Sequence, residues 1–431
     1  MGIKTRKRIM CYVVIMAILA FCMTPQFRLF VEFPKSIRIS QGESHLIDPG
    51  FRLPLSVRMD HQGVVRLGEA GSGASQRISI ESEREGTVNL YFRLFGIIPF
   101  KRVTVEVLPQ VKVYPGGHSI GILLRTEGVL VVKLAPVTTN SKVTYPARDA
   151  GVQVGDIIMR VNGFLIHSDE QMAALTEAAG RAGQTVVLEI KRGSVMLKRE
   201  VTPAFCSETG RYRIGLWVRD GAAGVGTLTF YDEEQRTYAA LGHMVSDAET
   251  QTAMDVSEGR IVRATVSGIE PGRKGQPGEK IGVFIQQRDV LGTIDRNTEF
   301  GIVGTLASVL ENPLFPEPVP VAACSEVREG PAEIITVVKD QKLERFKVEI
   351  IRVNKQSLPD TKGLVLKVTD PELLKITGGI VQGMSGSPII QNGKLVGAVT
   401  HVLVNDPTRG YGVFAEWMLD VMNKSRLKAV G

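Results

Sequence analysis

The sequence after Ser207 is made of many short apolar runs separated by glycines, and this pattern limits the possible folds more than any other feature. The runs lack the long 3.6-residue periodicity of helices and have the length of single strands. Numerous short strands with frequent turn signals predict a β-barrel or β-sandwich of roughly two hundred residues. Within this region Asn392 and Gly393 predict a two-residue hairpin turn, and residues 414–423 have the spacing of an amphipathic helix.

The composition is that of an ordered protein with several domains. The chain has 431 residues, of which 43% are hydrophobic and 23% are charged, so it has enough apolar material for more than one core. Its net charge of +7 is spread along the chain without an aromatic and basic recognition motif, which argues against nucleic acid as a partner. The four cysteines lack metal-ligand spacing, and two of them lie in the apolar N-terminal run, so neither a disulfide framework nor a zinc site is expected. No cofactor is expected.

Residues 1–30 have the pattern of a signal peptide or transmembrane anchor. Four basic residues, Lys4, Arg6, Lys7 and Arg8, precede an apolar run over residues 9–23, and no clear cleavage site follows. The basic flank is expected to stay in the cytoplasm while the rest of the chain crosses the membrane. Residues 31–108 then alternate between apolar and polar side chains in short runs, which predicts a small β-rich spacer region.

The run from Pro146 to Gly163 contains Ala150-Gly151, Asp156-Ile157 and Val161-Asn162-Gly163 at regular spacing. This pattern resembles that of PDZ domains, and the resemblance covers residues 109–205. A helix is predicted to begin at Ser168, with Gln171 completing a capping box. The resemblance implies that a peptide adds as an extra strand and that a loop binds its terminal carboxylate through backbone amides. The residues expected to form that loop are Ser119, Ile120, Gly121 and Ile122.

The run Gly383-Met384-Ser385-Gly386-Ser387-Pro388 predicts a tight turn before a strand, with Ser385 as a nucleophile. The glycines have a chemical reason, because the amides of Gly383 and Ser385 can donate to the oxyanion that forms when Ser385 attacks a carbonyl. Gly-x-Ser-Gly-x-Pro is the signature of chymotrypsin-like serine peptidases. Residues 206–431 are therefore predicted to form a chymotrypsin-like double β-barrel with a C-terminal helix.

A serine nucleophile needs a base, and two of the six histidines lie in the predicted peptidase domain. His243 follows small residues where a peptidase of this type presents its base, whereas His401 is expected to line a wall. The orienting carboxylate is less clear. Spacing points to Asp289 or Asp295, and Asp247 is too close to His243 in sequence. Asp370 precedes the nucleophile by fifteen residues, and the residues alone do not separate these alternatives.

The chain combines several further motifs, namely the basic N-terminus, Leu94-Phe95-Gly96-Ile97-Ile98-Pro99, Tyr114-Pro115-Gly116-Gly117, Leu241-Gly242-His243 and the Ser385 turn. Together with the PDZ segment, these motifs resemble the stage IV sporulation protein B family of membrane-associated serine peptidases from endospore-forming bacteria. The resemblance implies a triad of His243, Asp370 and Ser385, and Asp370 is assigned on this ground alone. It also implies a peptidase that cleaves itself and a membrane-bound regulator of an intramembrane protease, which allows processing of a late mother-cell sigma factor precursor. Its expected location is the forespore inner membrane, facing and released into the space between the forespore and mother-cell membranes.

Two other functions would use the same PDZ and peptidase parts. The first is a PDZ adaptor with an inactive peptidase domain, which signals by binding only, and the joint presence of His243 and Ser385 argues against it. The second is a protein quality-control protease, which usually places its peptidase domain before the PDZ domain. Here the PDZ segment comes first.

Overall fold

The computed structural model describes Tyr12, Met16 and residues 33–48, 54–70, 77–254, 256–284, 289–308, 310–354, 356 and 358–429. Apart from Tyr12 and Met16, the expected anchor at residues 1–30 lies outside this set. No helix among the described residues is both long and apolar enough to span a bilayer. The chain divides into two compact units. The first holds the described residues up to Val111 together with Val321–Val327 and Lys355–Pro359, and the second holds the rest.

The first unit contains a β-sandwich. Its strands are β1 (Ser36–Ser40), β2 (Ser44–Ile47), β3 (Leu55–Met59), β4 (Val65–Ala70), β5 (Arg77–Ser82), β6 (Gly86–Leu94) and β7 (Ile98–Leu108). One sheet has the order β1-β7-β6-β3 and the other β2-β5-β4. Alternate residues such as Val88, Leu90 and Phe92 of β6 are buried in a core that also receives Ile47 and Ile80 from the second sheet. The predicted period-two pattern therefore corresponds to strands with one buried face.

The second unit begins with two strands and then forms the PDZ region. The elements in chain order are β8 (Lys112–Pro115), β9 (Ser119–Leu134), β10 (Val137–Thr138), β11 (Val143–Thr144), α1 (Pro146–Asp149), β12 (Ile157–Val161), β13 (Phe164–Leu165), α2 (Asp169–Arg181), β14 (Val186–Arg192), β15 (Val195–Val201), β16 (Ala204–Cys206) and β17 (Arg211–Arg213). The predicted capping of α2 is confirmed. The Ser168 hydroxyl accepts a hydrogen bond from the Gln171 amide at 3.3 Å, and the Gln171 side chain accepts one from the amide of His167.

The first barrel of the predicted peptidase region uses β9 and most of the following strands. These are β18 (Leu216–Asp232), β19 (Thr237–Ala240), β20 (Val256–Arg263), β21 (Thr265–Glu270), β22 (Glu279–Val283), β23 (Val290–Thr293), β24 (Arg296–Thr298), β25 (Gly301–Thr305) and β26 (Val319–Pro320). Hydrogen-bonded neighbours follow a ring of β9, β18, β19, β25, β23 and β20. A bridge between Gly292 and Leu306 closes the ring, and Ile120, Leu228 and Ile302 are buried in its core.

The PDZ region is inserted between the first two strands of this barrel. At its start β9 pairs with both β18 and β20, whereas at its end Leu130 and Val129 pair with β12 of the PDZ sheet. β18 returns from the PDZ region into the barrel in the same way. The sequential arrangement predicted at residues 109–205 and 206–431 therefore differs from the strand pairing, because the barrel already begins at β9.

The second barrel is closed and is formed by β27 (Gly330–Val337), β28 (Leu343–Val353), β29 (Leu364–Val368), β30 (Pro388–Gln391), β31 (Lys394–Leu403) and β32 (Asp406–Phe414). Two helices accompany it, α3 (Pro371–Thr377) and α4 (Ala415–Ala429). Asn392 and Gly393 have φ angles of 52° and 76°, which confirms the predicted hairpin turn. The predicted C-terminal helix is confirmed, and its residues Trp417 and Met418 are buried. The fold is mainly β, as the sequence predicts.

Candidate active site

Ser385 lies at the tip of a tight turn between α3 and β30. The amide of Met384 donates to the Val381 carbonyl at 3.1 Å, and the amide of Ser387 donates to the Met384 carbonyl at 2.9 Å. Gly386 has a φ of 94°, and a Cβ there would lie 2.0 Å from the Thr227 carbonyl oxygen. Only glycine fits this position, because the turn is pressed against the first barrel and its backbone is in the left-handed region.

Two amides of this turn are free to bind an oxyanion. The backbone amides of Gly383 and Ser385 have no hydrogen-bond acceptor within the described part of the chain. Their carbonyl groups, by contrast, are both held by Thr227 of β18. Its hydroxyl donates to the Gly383 oxygen at 2.8 Å, and its amide donates to the Ser385 oxygen at 2.9 Å. Free amides beside a serine hydroxyl are the donors that acyl transfer requires.

His243 follows β19 and has the properties of a general base. Its Nδ1 lies 3.0 Å from the carbonyl oxygen of Met244. A carbonyl can only accept, so Nδ1 carries the proton and Nε2 has the free lone pair. Burial lowers the pKa of His243 below its usual value, which keeps the imidazole neutral and able to take a proton at pH 7.

His243 and Ser385 line one cavity of about 660 Å³. His401 lies on the same wall, and its ring centroid is 4.9 Å from that of His243. Burial and, to a smaller degree, the neighbouring His243 lower the pKa of His401 to about 4. The Ser385 hydroxyl donates to the carbonyl oxygen of Thr400 at 2.6 Å, and no described hydrogen bond joins it to His243. Attack on a substrate therefore requires the hydroxyl to rotate from Thr400 towards the base.

No described hydrogen bond joins Asp370 to His243. Asp370 is the N-cap of α3. Its Oδ1 accepts from the amides of Glu372 and Leu373 at 3.0 and 3.2 Å, and its Oδ2 accepts from the Lys347 amide at 3.2 Å. These hydrogen bonds are those of a residue that caps the N-terminus of α3.

Neither carboxylate that spacing suggested is joined to His243 by a described hydrogen bond. The side chain of Asp295 accepts from the hydroxyls of Thr293 and Thr305. Of Asp289, the described hydrogen bond is that of its backbone carbonyl with the Arg263 amide. Asp247 does line the cavity with His243, but the Arg219 guanidinium donates to it at 2.5 Å. In the described structure the group that orients His243 is thus the Met244 carbonyl. Backbone acceptors such as Met244 and Thr400 leave no signal in a sequence.

The residues expected to bind a peptide carboxylate lie in a strand rather than in a loop. Ser119, Ile120, Gly121 and Ile122 belong to the barrel end of β9 and pair with β18, and all but Ser119 also pair with β20. They are buried. This corrects the sequence-based placement. A residue already flanked by two strands has no amide left for a ligand, so the peptide-binding edge must be sought elsewhere.

Comparison with known proteins gives matches for the second unit. Residues 210–419 match the family model of the SpoIVB peptidase S55, and residues 119–202 match that of the PDZ domain. A putative zinc metalloprotease of Clostridium perfringens is 33% identical over 94 residues, which cover 22% of this chain and 26% of that protein. The chain thus spans about a quarter of the length of this relative.

Two solved structures are also similar. The active form of the Rv3671c protease of M. tuberculosis is 16% identical, with 47% of this chain and 74% of that chain covered at a TM-score of 0.26. The PDZ domain of an SdrC-like protein from Listeria monocytogenes is 22% identical, with 22% of this chain and 90% of that chain covered at a TM-score of 0.18.

Proposed function

We propose that this chain is a sporulation signalling serine endopeptidase, because residues 210–419 match the family model of the SpoIVB peptidase S55 and residues 119–202 before them match that of the PDZ domain. Its proposed substrates are itself and the extracytoplasmic part of a membrane-bound regulator, whose cleavage activates the intramembrane processing of a sigma factor precursor. The basic and apolar sequence of residues 1–30 supports insertion into the forespore inner membrane with the remainder outside the cytoplasm.

The proposed mechanism uses the groups of the cavity in turn. His243 removes the proton of Ser385 through Nε2 as the hydroxyl attacks the peptide carbonyl, and the Met244 carbonyl holds the imidazole in the required tautomer. The amides of Gly383 and Ser385 then donate to the tetrahedral oxyanion. His243 returns the proton to the leaving amine, and water repeats the sequence on the acyl-enzyme. The assignment of Asp370 as the third member of the triad rests on the family resemblance alone.

One observation carries the proposal, namely a serine with two free turn amides beside a neutral histidine in one cavity. The test is to express the full chain, Ser385→Ala and Ser387→Ala in parallel and to follow each by immunoblot and mass spectrometry. Ser387 is a matched control because it is a buried serine of the same turn. We expect wild type and Ser387→Ala to shorten from the N-terminal side while Ser385→Ala stays intact. Identical cleavage of all three chains would contradict self-cleavage by Ser385.

The second candidate is an adaptor that signals by binding alone. The hydrogen bond of the Ser385 hydroxyl to Thr400 favours it, since no described hydrogen bond joins the nucleophile to its base. If all three chains stay intact and a fluorophosphonate does not label Ser385 in the wild type, the adaptor function is the better explanation.

A further inference from the structure

One edge of β18 pairs with no strand among the described residues over most of its length. On one side β18 pairs with β9 from Leu216 to Thr227. On the other side its described partners are β19 and β8, and both lie beyond Leu228. Residues 216–226 therefore present a row of backbone groups that no described strand covers. At about 3.3 Å per residue this edge is roughly 35 Å long.

The first end of the free edge lies in the PDZ region. Leu216 and Val218 of β18 and Leu175 of α2 are partly buried side chains that pack on the PDZ core, and α2 lies next to β18. Trp217 is 64% exposed at the same place. A strand edge beside a helix, with apolar side chains between them, is the arrangement by which PDZ domains take up an extended peptide.

The other end of the free edge lies in the catalytic cavity. Residues 221–225 of β18 line the cavity together with His243 and Ser385. Four of these five residues are glycine or alanine, and a Cβ added to Gly224 would meet no atom within 4 Å. The edge ends at Thr227, whose amide donates to the Ser385 carbonyl. The PDZ end and the cavity end of this edge thus belong to the same strand, β18.

We propose that the substrate polypeptide adds as one continuous strand to the free edge of β18, so that a single extended segment occupies the PDZ groove and the catalytic cavity together. The occupant is an unfolded stretch of the protein to be cut, because the edge runs without a break into the cavity where the peptide bond must lie. This inference rests on the proposed peptidase function and specifies how the substrate is held.

The length of the free edge predicts how many substrate residues separate the side chain in the PDZ groove from the bond that is cut. Leu216 lies at the groove and Thr227 lies at the nucleophile turn, and paired strands advance by equal numbers of residues. An apolar side chain that fills the groove therefore lies roughly eight to eleven residues from the bond that is cut. The intervening residues need free backbone amides and small or extended side chains, because proline or a folded element cannot join the edge.

The test measures binding to the Ser385→Ala chain, which is not turned over. β-Casein, an unfolded protein, is tiled as fluorescein-labelled 24-residue peptides, and fluorescence anisotropy identifies the tightest binder. Each backbone amide of that peptide is then N-methylated in turn. We expect every second methyl group to weaken binding by about tenfold over at least eight consecutive residues, since alternate amides of a strand face its partner. A footprint confined to four or five residues, or the absence of any binder, would overturn the proposal.

Two variants in the Ser385→Ala chain locate the footprint. Gly224→Trp places a large side chain on the edge beside the cavity and is expected to remove the period-two pattern from the cavity end. Glu234→Trp is the matched control, because Glu234 is exposed in the turn after β18 at the far end of the strand. An equal effect of both variants would contradict the assigned edge. Fluorophosphonate labelling of the wild type tests the peptidase function separately, so the two proposals can fail independently.

Discussion

Lys280 of β22 is a buried cation close to the nucleophile turn, and replacing it should stabilise the protein in a pH-dependent manner. It is 1% exposed, and its ammonium donates to the Thr336 hydroxyl at 2.7 Å. No carboxylate among the described residues pairs with it. Its stem lies under Gly383, where an added Cβ would meet the lysine side chain at 3.1 Å. Burial lowers the pKa of Lys280 to about 7.

The sign of the effect follows from the two protonation equilibria. In the unfolded chain the Lys280 amine has a pKa near 10.5, whereas in the native state the value is about 7. Between these pH values the unfolded state binds one more proton, so the free energy of unfolding rises with pH by about 1.4 kcal/mol per pH unit. Below pH 7 the full penalty is present, with an upper value of about 5 kcal/mol. Lys280→Met removes it but leaves the Thr336 hydroxyl unpaired at a cost of about 1 kcal/mol, so a gain of about 2–4 kcal/mol is expected at pH 6.

The assay is urea denaturation of the Trp217→Phe chain, in which Trp417 of α4 is the remaining tryptophan and reports on the peptidase domain. Lys280→Met and the control Lys339→Met, an exposed lysine of the same domain, are compared at pH 6 and pH 9.5. The stabilisation by Lys280→Met should shrink by most of its value at the higher pH, whereas the control should change by less than about 0.5 kcal/mol at both. A destabilised Lys280→Met chain at pH 6, or a difference independent of pH, would refute the reasoning.

Three further predictions concern the site and the fold. If Asp370 acts as a helix cap, the Asp370→Asn variant keeps most of its kcat/KM, and Asp370→Ala lowers the free energy of unfolding by about 1 kcal/mol. If Asp370 were the triad carboxylate, Asp370→Asn would instead lower kcat by about 10⁴-fold. Casein hydrolysis by the two variants decides between these roles. Because burial holds the pKa of His243 below its usual value, kcat/KM should rise with pH through an apparent pKa below 6.5 and then level off; a midpoint above 7 would contradict this. Finally, a fragment of residues 206–431 lacks β9 and should not fold, whereas residues 112–431 should give a cooperative melting transition by circular dichroism.

Local sequence signals predicted the parts of the fold that depend on local chemistry. The hairpin at Asn392 and Gly393 followed from turn preference, and the cap of α2 followed from Ser168 and Gln171. The turn around Ser385 was also visible, because its glycines are required by backbone geometry within a few residues. The residues that determine each of these features lie within a segment shorter than ten residues. Such a feature can therefore be predicted without knowledge of contacts to the rest of the chain.

Contacts between distant segments could not be predicted from the sequence. Ser119 and its neighbours have the pattern of a PDZ loop, but their strand partners at Gly224, Val225 and Gly226 lie about a hundred residues later, and that pairing turns the loop into a barrel strand. The hydrogen bond of Ser385 to the Thr400 carbonyl has the same character, since any residue has a carbonyl to offer. Asp370 shows the reverse problem, because a cap residue and a catalytic carboxylate have the same side chain.

The shared strands explain why this PDZ region can act differently from one attached by a linker. Thr227 ends the free edge of β18 and also holds the carbonyls of Gly383 and Ser385. A flexible linker would raise only the local concentration of substrate and would leave the spacing between anchor and cut bond variable. A rigid strand fixes that spacing, because a peptide paired to β18 is in register with the nucleophile turn. Selectivity would then depend on the distance between an apolar anchor and the cut bond as well as on the residues that flank the bond.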